Sequence, residues 1–387
     1  MKSSKKSPDQ KLRPHIGIDV RFFGPHTGGG LGRYTEELVR ELYALKPNLD
    51  ITLFCVPEME KELAQFAPFR TISVDIPWYS LKEQIFLRSI IDRENLNLYH
   101  APHFNVPIGL KTPFIVTIHD LILLEQPRSA HTSTRHPLIY TLKYWGFKKV
   151  LRHAIFKAKR IITISNTTKN SINKFFPKSK IPVDVIYPGI GTINDKPFFD
   201  RPNLPQKPFV LMVGNAYPHK NLSIVLKSLV VLKKEGTKVA SVFAGRSDDF
   251  FEKLQEEAIK LGLNEKEAVF IKNPTDAELS FLYKNAEVFV FPSKCEGFGI
   301  PPLEAMAHGL PVVSSATSAM PEILGDAALF VDPDNEKDFA EAINLLITDS
   351  EKRKTQITKG LARSKIYSWE KMAQGVLKAY TEECMLE

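Results

Sequence analysis

The sequence predicts an α/β protein built from two Rossmann-like, doubly wound domains that face a central cleft. Short apolar, β-rich runs alternate with helical patterns along most of the chain, which is typical of parallel sheets covered on both faces. A segment rich in Gly, Pro and Asp interrupts this alternation once, and the 387 residues exceed what one typical core contains. Because ligands of such sheets bind at the carboxyl ends of the strands, the residues that follow strands are the candidates for chemistry.

The first domain is predicted over residues 14–190. Its strands are expected in HIGIDV, ITLFCV, TISVDI, LNLYHA, PFIVTIHD, RIITIS and VDVIYP, and its helices over 33–46, 80–94 and 137–158. Residues 1–13 are basic and polar and no apolar segment follows them, so we expect a disordered leader and not a secretory signal.

A linker over residues 191–207 is predicted to lead into a second domain over residues 208–368. Its strands are expected in FVLMV, VASVFAG, AVFIK, EVFVF, PVVSS and AALFV, and its helices over 220–235, 249–262, 275–284, 301–308 and 335–347. One more amphipathic helix, within residues 369–387, is predicted to join the first domain.

The composition is that of a globular protein, but the charge is uneven. No apolar run approaches the ~18 to 20 residues of a membrane span. The three cysteines are far apart, which favours a reduced, cytoplasmic chain without structural zinc or disulfides. Residues 126–183 contain thirteen Lys or Arg and no Asp or Glu. The positive charge of this segment exceeds the net charge of the whole chain, which is +8. We therefore expect an anionic partner for this segment.

A glycine-rich stretch, GGGLGRYTEELVREL, follows the first strand and leads into a helix. Gly29 and Gly30 allow the backbone to approach a ligand closely, and a helix N-terminus attracts anions. Neither the dinucleotide-binding spacing nor the Gly-Lys-Ser/Thr of a P-loop is present. A flexible loop without a ligand is the alternative.

His119 ends the strand PFIVTIHD at its carboxyl end. An imidazole there is suited to donate a hydrogen bond to a sugar hydroxyl or to stabilise a developing charge. The alternative is a histidine that only satisfies a neighbouring backbone carbonyl.

The second domain opens as strand, loop and helix in FVLMVGNAYPHKNL. Gly214 and Asn215 lie in the loop, and Lys220 is expected at the start of the helix, where a cation and terminal amides suit a diphosphate. Arg246 follows the next strand and is placed to converge on the same anion. A surface lysine without a ligand is the alternative for Lys220.

Two glutamates with seven residues between them occur in EGFGIPPLE. Glu296 falls in the loop after the strand EVFVF, and Gly297 and Gly299 keep that loop close to whatever binds. The two prolines that follow suit the first turn of a helix, so Glu304 is expected in that first turn. A carboxylate is stable there without any ligand, which is the alternative for Glu304.

Three uses of this glutamate pair compete. A glycosidase needs an acid and a base or nucleophile about 5 to 10 Å apart. A metal site needs further ligands, and none is spaced to supply them. Two acceptors that clamp hydroxyl groups at the two ends of a nucleotide sugar need only the glutamates, with Lys220 for the diphosphate between them.

Together these motifs resemble the retaining nucleotide-sugar glycosyltransferases of the GT-B fold, glycosyltransferase family 4. The resemblance covers nearly the whole chain. It runs through GGGLGRYTEELVREL, TIHD, IITISNTTKNSI, VIYPG, VGNAYPHKNL, FPSKCEGFGIPPLEAMAHGLPVVSS, MPEILGDAALFVDP and YSWEKMA. The specific part is the pair of glutamates with Gly-Phe-Gly between them. The subgroup that the chain most resembles acts on surface polysaccharides and often uses GDP-mannose.

In the second domain the resemblance implies how the donor is bound. Glu296 would accept hydrogen bonds from the transferred sugar, and Glu304 from the ribose. The backbone amides of Phe298, Gly299 and Ile300 would contact the sugar and the phosphates, and Gly297 belongs to the same donor-binding loop.

The remaining implied roles lie on both sides of the cleft. Lys220 would balance the diphosphate as it leaves. Gly29 and Gly30 would approach the donor from the first, acceptor-side domain, and His119 would contact the donor sugar near the reacting carbon. Such enzymes need no metal and no further cofactor.

The chain departs from the family pattern at Asn215, where many members have an arginine. The usual pair of basic phosphate ligands is then incomplete. Our hypothesis is that Arg246 supplies the missing charge.

The implied substrates are a nucleotide sugar, GDP-mannose or a UDP-sugar, and a saccharide or lipid-linked acceptor. Residues 135–160 combine aromatic and basic side chains at helical spacing, so we expect either a helix with a solvated basic face or peripheral contact with an anionic membrane from its cytoplasmic side.

Two other classes of function remain as alternatives. A nicotinamide-dependent oxidoreductase explains the glycine-rich loop but needs an acid about 20 residues on and leaves both glutamates without a role. A non-enzymatic nucleic-acid binder explains the basic segment alone, and we expect no nucleic acid as a partner.

Overall fold

A computed structural model describes residues 13–24, 29–127, 137–191 and 208–385, with the backbone alone at 137–139. The predicted leader and linker therefore lie outside the described residues, apart from Arg13 and Gly191.

Seven parallel strands form the first sheet, in the order β3-β2-β1-β4-β5-β6-β7. They are β1 His15–Asp19, β2 Asp50–Cys55, β3 Arg70–Ser73, β4 Leu98–Ala101, β5 Phe114–Ile118, β6 Arg160–Thr163 and β7 Val183–Val185. The central strands are buried on both faces, as the continuous apolar runs predict.

Helices cover this sheet on its two faces. They are α1 Gly30–Leu45, α2 Glu60–Leu63, α3 Arg88–Arg93, α4 Ile122–Glu125, α5 Pro137–Lys157 and α6 Asn166–Phe175. A π-helical turn, Glu83–Leu87, precedes α3, so the predicted helix over 80–94 is not regular throughout.

Six parallel strands form the second sheet, in the order β10-β9-β8-β11-β12-β13. They are β8 Phe209–Val213, β9 Ala240–Gly245, β10 Ala268–Lys272, β11 Val288–Phe291, β12 Val312–Ser315 and β13 Ala328–Val331. All thirteen strand predictions correspond to a strand in one of the two sheets.

The helices of the second half begin with α7. They are α7 Ser223–Lys234, α8 Asp249–Lys260, α9 Asp276–Asn285, α10 Ile300–Ala307, α11 Met320–Leu324, α12 Glu336–Thr348, α13 Ser350–Ser364 and α14 Trp369–Met385. The sequence analysis did not predict the short helices α2, α4 and α11, nor the longer α6 and α13. The helices α6 and α13 are strongly polar on their outer faces, and α6 follows a capping residue, Ser165, whose hydroxyl accepts from the amide of Thr168.

The last helix, α14, packs against the first domain. The hydroxyl of Tyr380 lies 2.6 Å from Nδ1 of the buried His100, and Arg160 donates to Glu383 at 2.8 Å. Along the described stretches of the chain, no helix combines the length and apolar character needed to span a bilayer.

Candidate functional site

The candidate residues lie where the carboxyl ends of the two sheets meet. Direct contacts join the halves there. The thiol of Cys295, after β11, donates to Glu125 at 2.9 Å, and an atom placed as Cβ on Gly297 would lie 2.2 Å from the carbonyl oxygen of His119. Glycine is the residue that allows this close approach of the two loops.

Lys220 and Glu296 form an ion pair at the centre of this contact. Nζ of Lys220 lies 2.5 Å from Oε1 of Glu296, and it also sits 5.6 Å from the centre of the Phe291 ring. Ser318 fixes the backbone of Glu296, since its hydroxyl accepts from the Glu296 amide at 2.9 Å and donates to the Glu296 carbonyl at 2.8 Å. A cation and a carboxylate are thus placed side by side in a pre-shaped loop.

The expected helical position of Lys220 is wrong. Lys220 ends a 3-10 turn, Pro218–Lys220, and α7 begins only at Ser223. Asn221 takes a left-handed conformation between them and donates to the carbonyl of Pro333 at 2.7 Å. The lysine therefore projects from a tight, tethered turn, and not from a helix N-terminus.

His119 is a neutral histidine in contact with the first domain's backbone. Burial lowers its pKa to about 4, so it carries no charge at neutral pH. Its Nε2 lies 2.8 Å from the carbonyl oxygen of Pro102, which can only accept, so Nε2 carries the hydrogen. The other ring nitrogen is then an acceptor, so the ring has no second N–H to donate to a ligand, which was one role considered from the sequence. The contact with Pro102 is the alternative expected there, a histidine that satisfies a neighbouring backbone carbonyl.

Glu304 is buried and already has two partners. It is 4% exposed; Arg33 of α1 donates to one carboxylate oxygen at 2.7 Å and the hydroxyl of Tyr283 to the other at 3.1 Å. Burial raises the pKa of Glu304, whereas the charge of Arg33 acts in the opposite direction. The ion pair joins the two domains at the site where a ribose was expected.

Glu304 is also not in the first turn of its helix. The helix begins at Ile300, so Glu304 is the fifth residue and the first turn holds no acid. Gly299 precedes it with φ of 91°, and no side chain caps the first amides. Pro301 and Pro302 have no amide hydrogen, so of the first three residues of the helix only Ile300 offers an amide, and it is one of the three that the sequence assigned to a donor's sugar and phosphates.

Phe298 is a packing residue at this turn. Its ring is buried and meets Tyr367 edge-on at 5.3 Å and Tyr187 at 6.3 Å, so its side chain anchors the loop while its backbone faces the cleft.

Gly29 and Gly30 begin α1 on the opposite side of the cleft. Gly29 has φ of 58°, and α1 has no side-chain cap. No atom of the described residues lies within 4 Å of a Cβ placed on either glycine.

Gly214 and Arg246 belong to neighbouring loops. A Cβ on Gly245 would lie 2.1 Å from the carbonyl oxygen of Gly214, so the loop containing Gly214 and Asn215 packs directly against the residue before Arg246. The Arg246 side chain is exposed, and among the described residues no hydrogen bond or ion pair connects it to Lys220 or Glu296.

Sequence reasoning missed two charged residues. Arg33 lies in the first turn of α1, where a cation is unfavourable because the N-terminus of a helix is positive. That unfavourable position indicated that Arg33 has a carboxylate partner.

Asp120 is exposed to the cleft beside Gly297. Desolvation raises its pKa most and the charge of Glu296 raises it further, while Lys220 acts in the opposite direction. Its place directly after His119 was the available signal.

Two family models together match most of the chain. The model described as Glycosyltransferase Family 4 matches residues 28–192, and the model described as Glycosyl transferases group 1 matches residues 194–363. The boundary between them falls in the segment that the sequence predicts as a linker.

Two relatives carry mannosyltransferase names. The chain is 31% identical over 266 residues to O-antigen chain mannosyltransferase RfbU of Salmonella typhimurium, covering 69% of each chain. It is 28% identical over 381 residues to O-antigen chain mannosyltransferase B of Escherichia coli, covering 91% of this chain and 95% of the relative.

Two solved structures illustrate the fold that this chain shares with known proteins. Sucrose-phosphate synthase from Thermosynechococcus elongatus matches 97% of this chain and 100% of its own, with a TM-score of 0.76 at 19% identity. HepE of Anabaena, in complex with UDP and glucose, matches 96% and 100%, with a TM-score of 0.70 at 18% identity. These likenesses confirm the predicted GT-B fold. The chain therefore belongs to the group 1 and family 4 glycosyltransferases, and it is an enzyme of the transferase class.

Proposed function

We propose that this glycosyltransferase moves a hexose, with retention of configuration, from a nucleotide-diphosphate sugar to a saccharide or lipid-linked saccharide, without a metal ion. The observation that carries the proposal is the Lys220–Glu296 pair, 2.5 Å apart, beside Gly297, which approaches the carbonyl oxygen of His119 across the cleft. The pair sets a cation suited to phosphate next to a carboxylate suited to hydroxyl groups. A sugar diphosphate presents the two complementary groups, phosphate and hydroxyl, on either side of one glycosidic bond.

Mannose is the proposed hexose because of the relatives' names. GDP-mannose is the first candidate donor. A UDP-sugar is the second, supported by the UDP and glucose in the HepE structure.

The proposed reaction needs no enzymatic nucleophile. The bond between the anomeric carbon and the diphosphate oxygen breaks, the acceptor oxygen bonds to the same face of that carbon, and the leaving phosphate takes the acceptor's proton. Lys220 and the backbone amides of Phe298, Gly299 and Ile300 stabilise the charge that develops on the diphosphate. Glu296 and the acceptor nitrogen of His119 orient the sugar.

A thermal-shift panel of nucleotides and nucleotide sugars tests the donor. A donor in hundredfold excess over its Kd raises the free energy of unfolding by about 2.7 kcal/mol. We expect the largest rise in melting temperature with GDP-mannose, and we expect the protein to hydrolyse or transfer the same compound.

The variant Glu296→Gln tests the role of the carboxylate. It keeps the shape of the site but loses the charge, and it should lower the rate of transfer by roughly 10²-fold. Full transfer activity in Glu296→Gln would exclude the proposed role of this residue.

We further infer that the face around α5 contacts an anionic membrane on its cytoplasmic side. Leu142 and Trp145 are largely exposed, and the ammonium groups of Lys148 and Lys149 lie over the rings of Tyr144 and Trp145. Apolar rings beside solvent-accessible cations are the pattern of interfacial helices. Residues 135 and 136 of the predicted segment lie outside the described residues.

Co-sedimentation with vesicles tests this contact. We expect binding to vesicles that contain phosphatidylglycerol and weak binding to neutral phosphatidylcholine vesicles. Lys148→Glu together with Lys149→Glu should abolish the difference, because the face then repels anionic lipid. Equal binding to both vesicle types would remove the electrostatic basis of the proposal.

A further inference from the structure

An aromatic cluster lies beside the candidate site on the first domain and has no role in the proposed donor chemistry. Phe22 stacks on Trp78 with ring centres 4.3 Å apart and an interplanar angle of 9°. Tyr79 and His103 complete the cluster, each within 6.4 Å of the Phe22 ring centre. The Tyr79 side chain is 61% exposed, which is unusual for a tyrosine with this many ring contacts.

The cluster is at the carboxyl edge of the first sheet, next to the reacting centre. Its members follow β1, β3 and β4. Pro102, which accepts the hydrogen bond from His119, immediately precedes His103. On its other side, a Cβ on Gly32 of α1 would lie 2.8 Å from the carbonyl oxygen of Phe22. The cluster is thus flanked by His119 and by the glycine-rich start of α1.

A buried ion network fixes the position of these rings. Arg21 is 1% exposed and donates to Asp19 and Glu83, each at 2.7 Å. The second oxygen of Glu83 accepts from the amide of Tyr79 at 2.8 Å, and Tyr79 has a left-handed φ of 56°. The network links the residue before Phe22 to the backbone of Tyr79, so both halves of the cluster are held by the same buried charges.

Two polar atoms in the cluster lack a partner. Nε1 of Trp78 and Nδ1 of His103 are buried, and neither has a hydrogen-bond partner among the residues the structure describes. Burial lowers the pKa of His103 to about 3, so its ring is neutral. Unpaired buried polar atoms are rare in folded proteins. Both atoms are closed to solvent in this structure, so the surface of the cluster that a ligand meets is the exposed ring of Tyr79.

We propose that this aromatic cluster is the acceptor subsite, in which a pyranose ring of the saccharide acceptor stacks on Tyr79 beside Phe22, Trp78 and His103. The C–H groups on one face of a pyranose are attracted to the negative face of an aromatic ring, and its hydroxyl groups remain free for polar partners. A ring bound here lies next to His119, where its outermost hydroxyl reaches the anomeric carbon of the donor. The assignment of this saccharide as the acceptor rests on the proposed transferase reaction, but its binding is independent of the donor.

Isothermal titration with an α-linked mannotriose, in the absence of nucleotide, tests the subsite. Tyr79→Ala should bind the trisaccharide about tenfold more weakly or not at all, because the exposed ring is lost. Tyr79→Phe keeps the ring and should retain affinity. Trp145→Ala is the matched control, since it removes an aromatic side chain of similar exposure, 62%, from another face of the same domain.

Donor-side measurements separate this proposal from the proposed function. Tyr79→Ala should keep the thermal shift given by GDP-mannose and the slow hydrolysis of that donor, while the KM for the trisaccharide rises. Glu296→Gln should show the opposite pattern and bind the trisaccharide normally. Trisaccharide binding that is unchanged in Tyr79→Ala, or absent from the unaltered protein, overturns the assignment, whatever the donor proves to be.

Discussion

Single residues of the candidate site are already paired with each other. Lys220 contacts Glu296, and Arg33 contacts Glu304. Under the proposed function, a donor phosphate competes with Glu296 for Lys220, and ribose hydroxyls compete with Arg33 for Glu304. A hydroxyl group is neutral, so each glutamate then keeps hydrogen-bond donors in place of an adjacent cation, and the donor's other contacts must offset that loss.

The variant Arg246→Ala tests whether Arg246 replaces the arginine that many family members have where this chain has Asn215. Because its guanidinium group is exposed one loop away from Gly214, Arg246→Ala should leave the melting temperature nearly unchanged. If the cation binds the diphosphate, the variant should raise the KM for the donor or lower kcat by about tenfold or more. Steady-state kinetics at varied donor concentration measure this.

Lys272→Ala is a suitable control for Arg246→Ala. It removes another exposed cation from the end of the neighbouring strand β10. Donor kinetics equal to those of the unaltered protein in both variants would rule out Arg246 as the second phosphate ligand.

For single residues, the sequence predicts the features that depend on the position of a residue relative to the neighbouring strand or helix. Glu296 and Lys220 follow strands, and that alone indicated the edge where they meet. Arg33 and Glu304 are 271 residues apart, and no local pattern predicts their contact. The direction of the His119 hydrogen bond likewise depends on Pro102, which comes from a different strand end.

Two helix N-termini without side-chain caps shape the site at the scale of elements. They are the starts of α1 and α10, each preceded by a glycine with positive φ. Glycine lets the chain turn sharply into the helix and, having no side chain, leaves the amide of the residue that follows it uncovered. The prolines in the first turn of α10 preset its backbone without removing a needed hydrogen bond.

Gly299→Ala should destabilise the protein. Its φ is 91°, and a Cβ would lie 2.6 Å from the terminal methyl carbon of Met320, so a side chain meets both backbone strain and a clash. We expect a loss of about 1–3 kcal/mol in the free energy of unfolding. Chemical denaturation measures it.

Gly146→Ala is the matched control for Gly299→Ala. Gly146 lies within α5, and a Cβ there would meet nothing within 4 Å. Alanine should stabilise this helix by about 0.5–1 kcal/mol. Equal effects of the two substitutions would show that the turn at Gly299 has no special conformational requirement.

Element type was more predictable than element boundaries. Short, nearly continuous apolar runs between helical patterns indicated every strand, because a strand that is buried on both faces is apolar at most positions. The start of α10 was placed one residue late, which moved Glu304 into the wrong turn. No local pattern indicated the π-helical turn at Glu83–Leu87, which begins at a glutamate buried against Arg21, 62 residues earlier in the sequence.

Ion pairs and hydrogen bonds join the two domains at the scale of the whole molecule. The carboxylate of Glu322, on α11, accepts from the amides of Asn166 and Thr167 at the start of α6 and from the hydroxyl of Tyr187. Although burial raises the pKa of Glu322, these hydrogen bonds outweigh it and the pKa is lowered. Together with Arg33 and Glu304, this contact sets the width of the cleft.

Arg33→Ala should make stability more dependent on pH. Burial raises the pKa of Glu304 even with Arg33 present, and without the cation it rises further. Between the unfolded value, about 4.3, and the raised folded value, the folded state binds the extra proton, so stability falls as pH increases. Melting temperatures from pH 4 to pH 8 should therefore decline more steeply in Arg33→Ala than in the unaltered protein.

The double variant Arg33→Ala with Glu304→Gln provides the control. A glutamine cannot ionise, so the added pH dependence should disappear. If it persists, another group is responsible, and Glu304 is not the buried carboxylate that Arg33 compensates.

The close contact between Gly297 and His119 allows the separation of the two loops across the cleft to be increased in steps. A methyl group at position 297 would meet the His119 carbonyl oxygen at 2.2 Å, so the loops must separate by about 1 Å to reach ordinary contact distance. Alanine, valine and leucine at this position therefore act as spacers of increasing size. The rates of donor binding and release, measured together with transfer activity across that series, would show how far the two loops can separate before activity is lost.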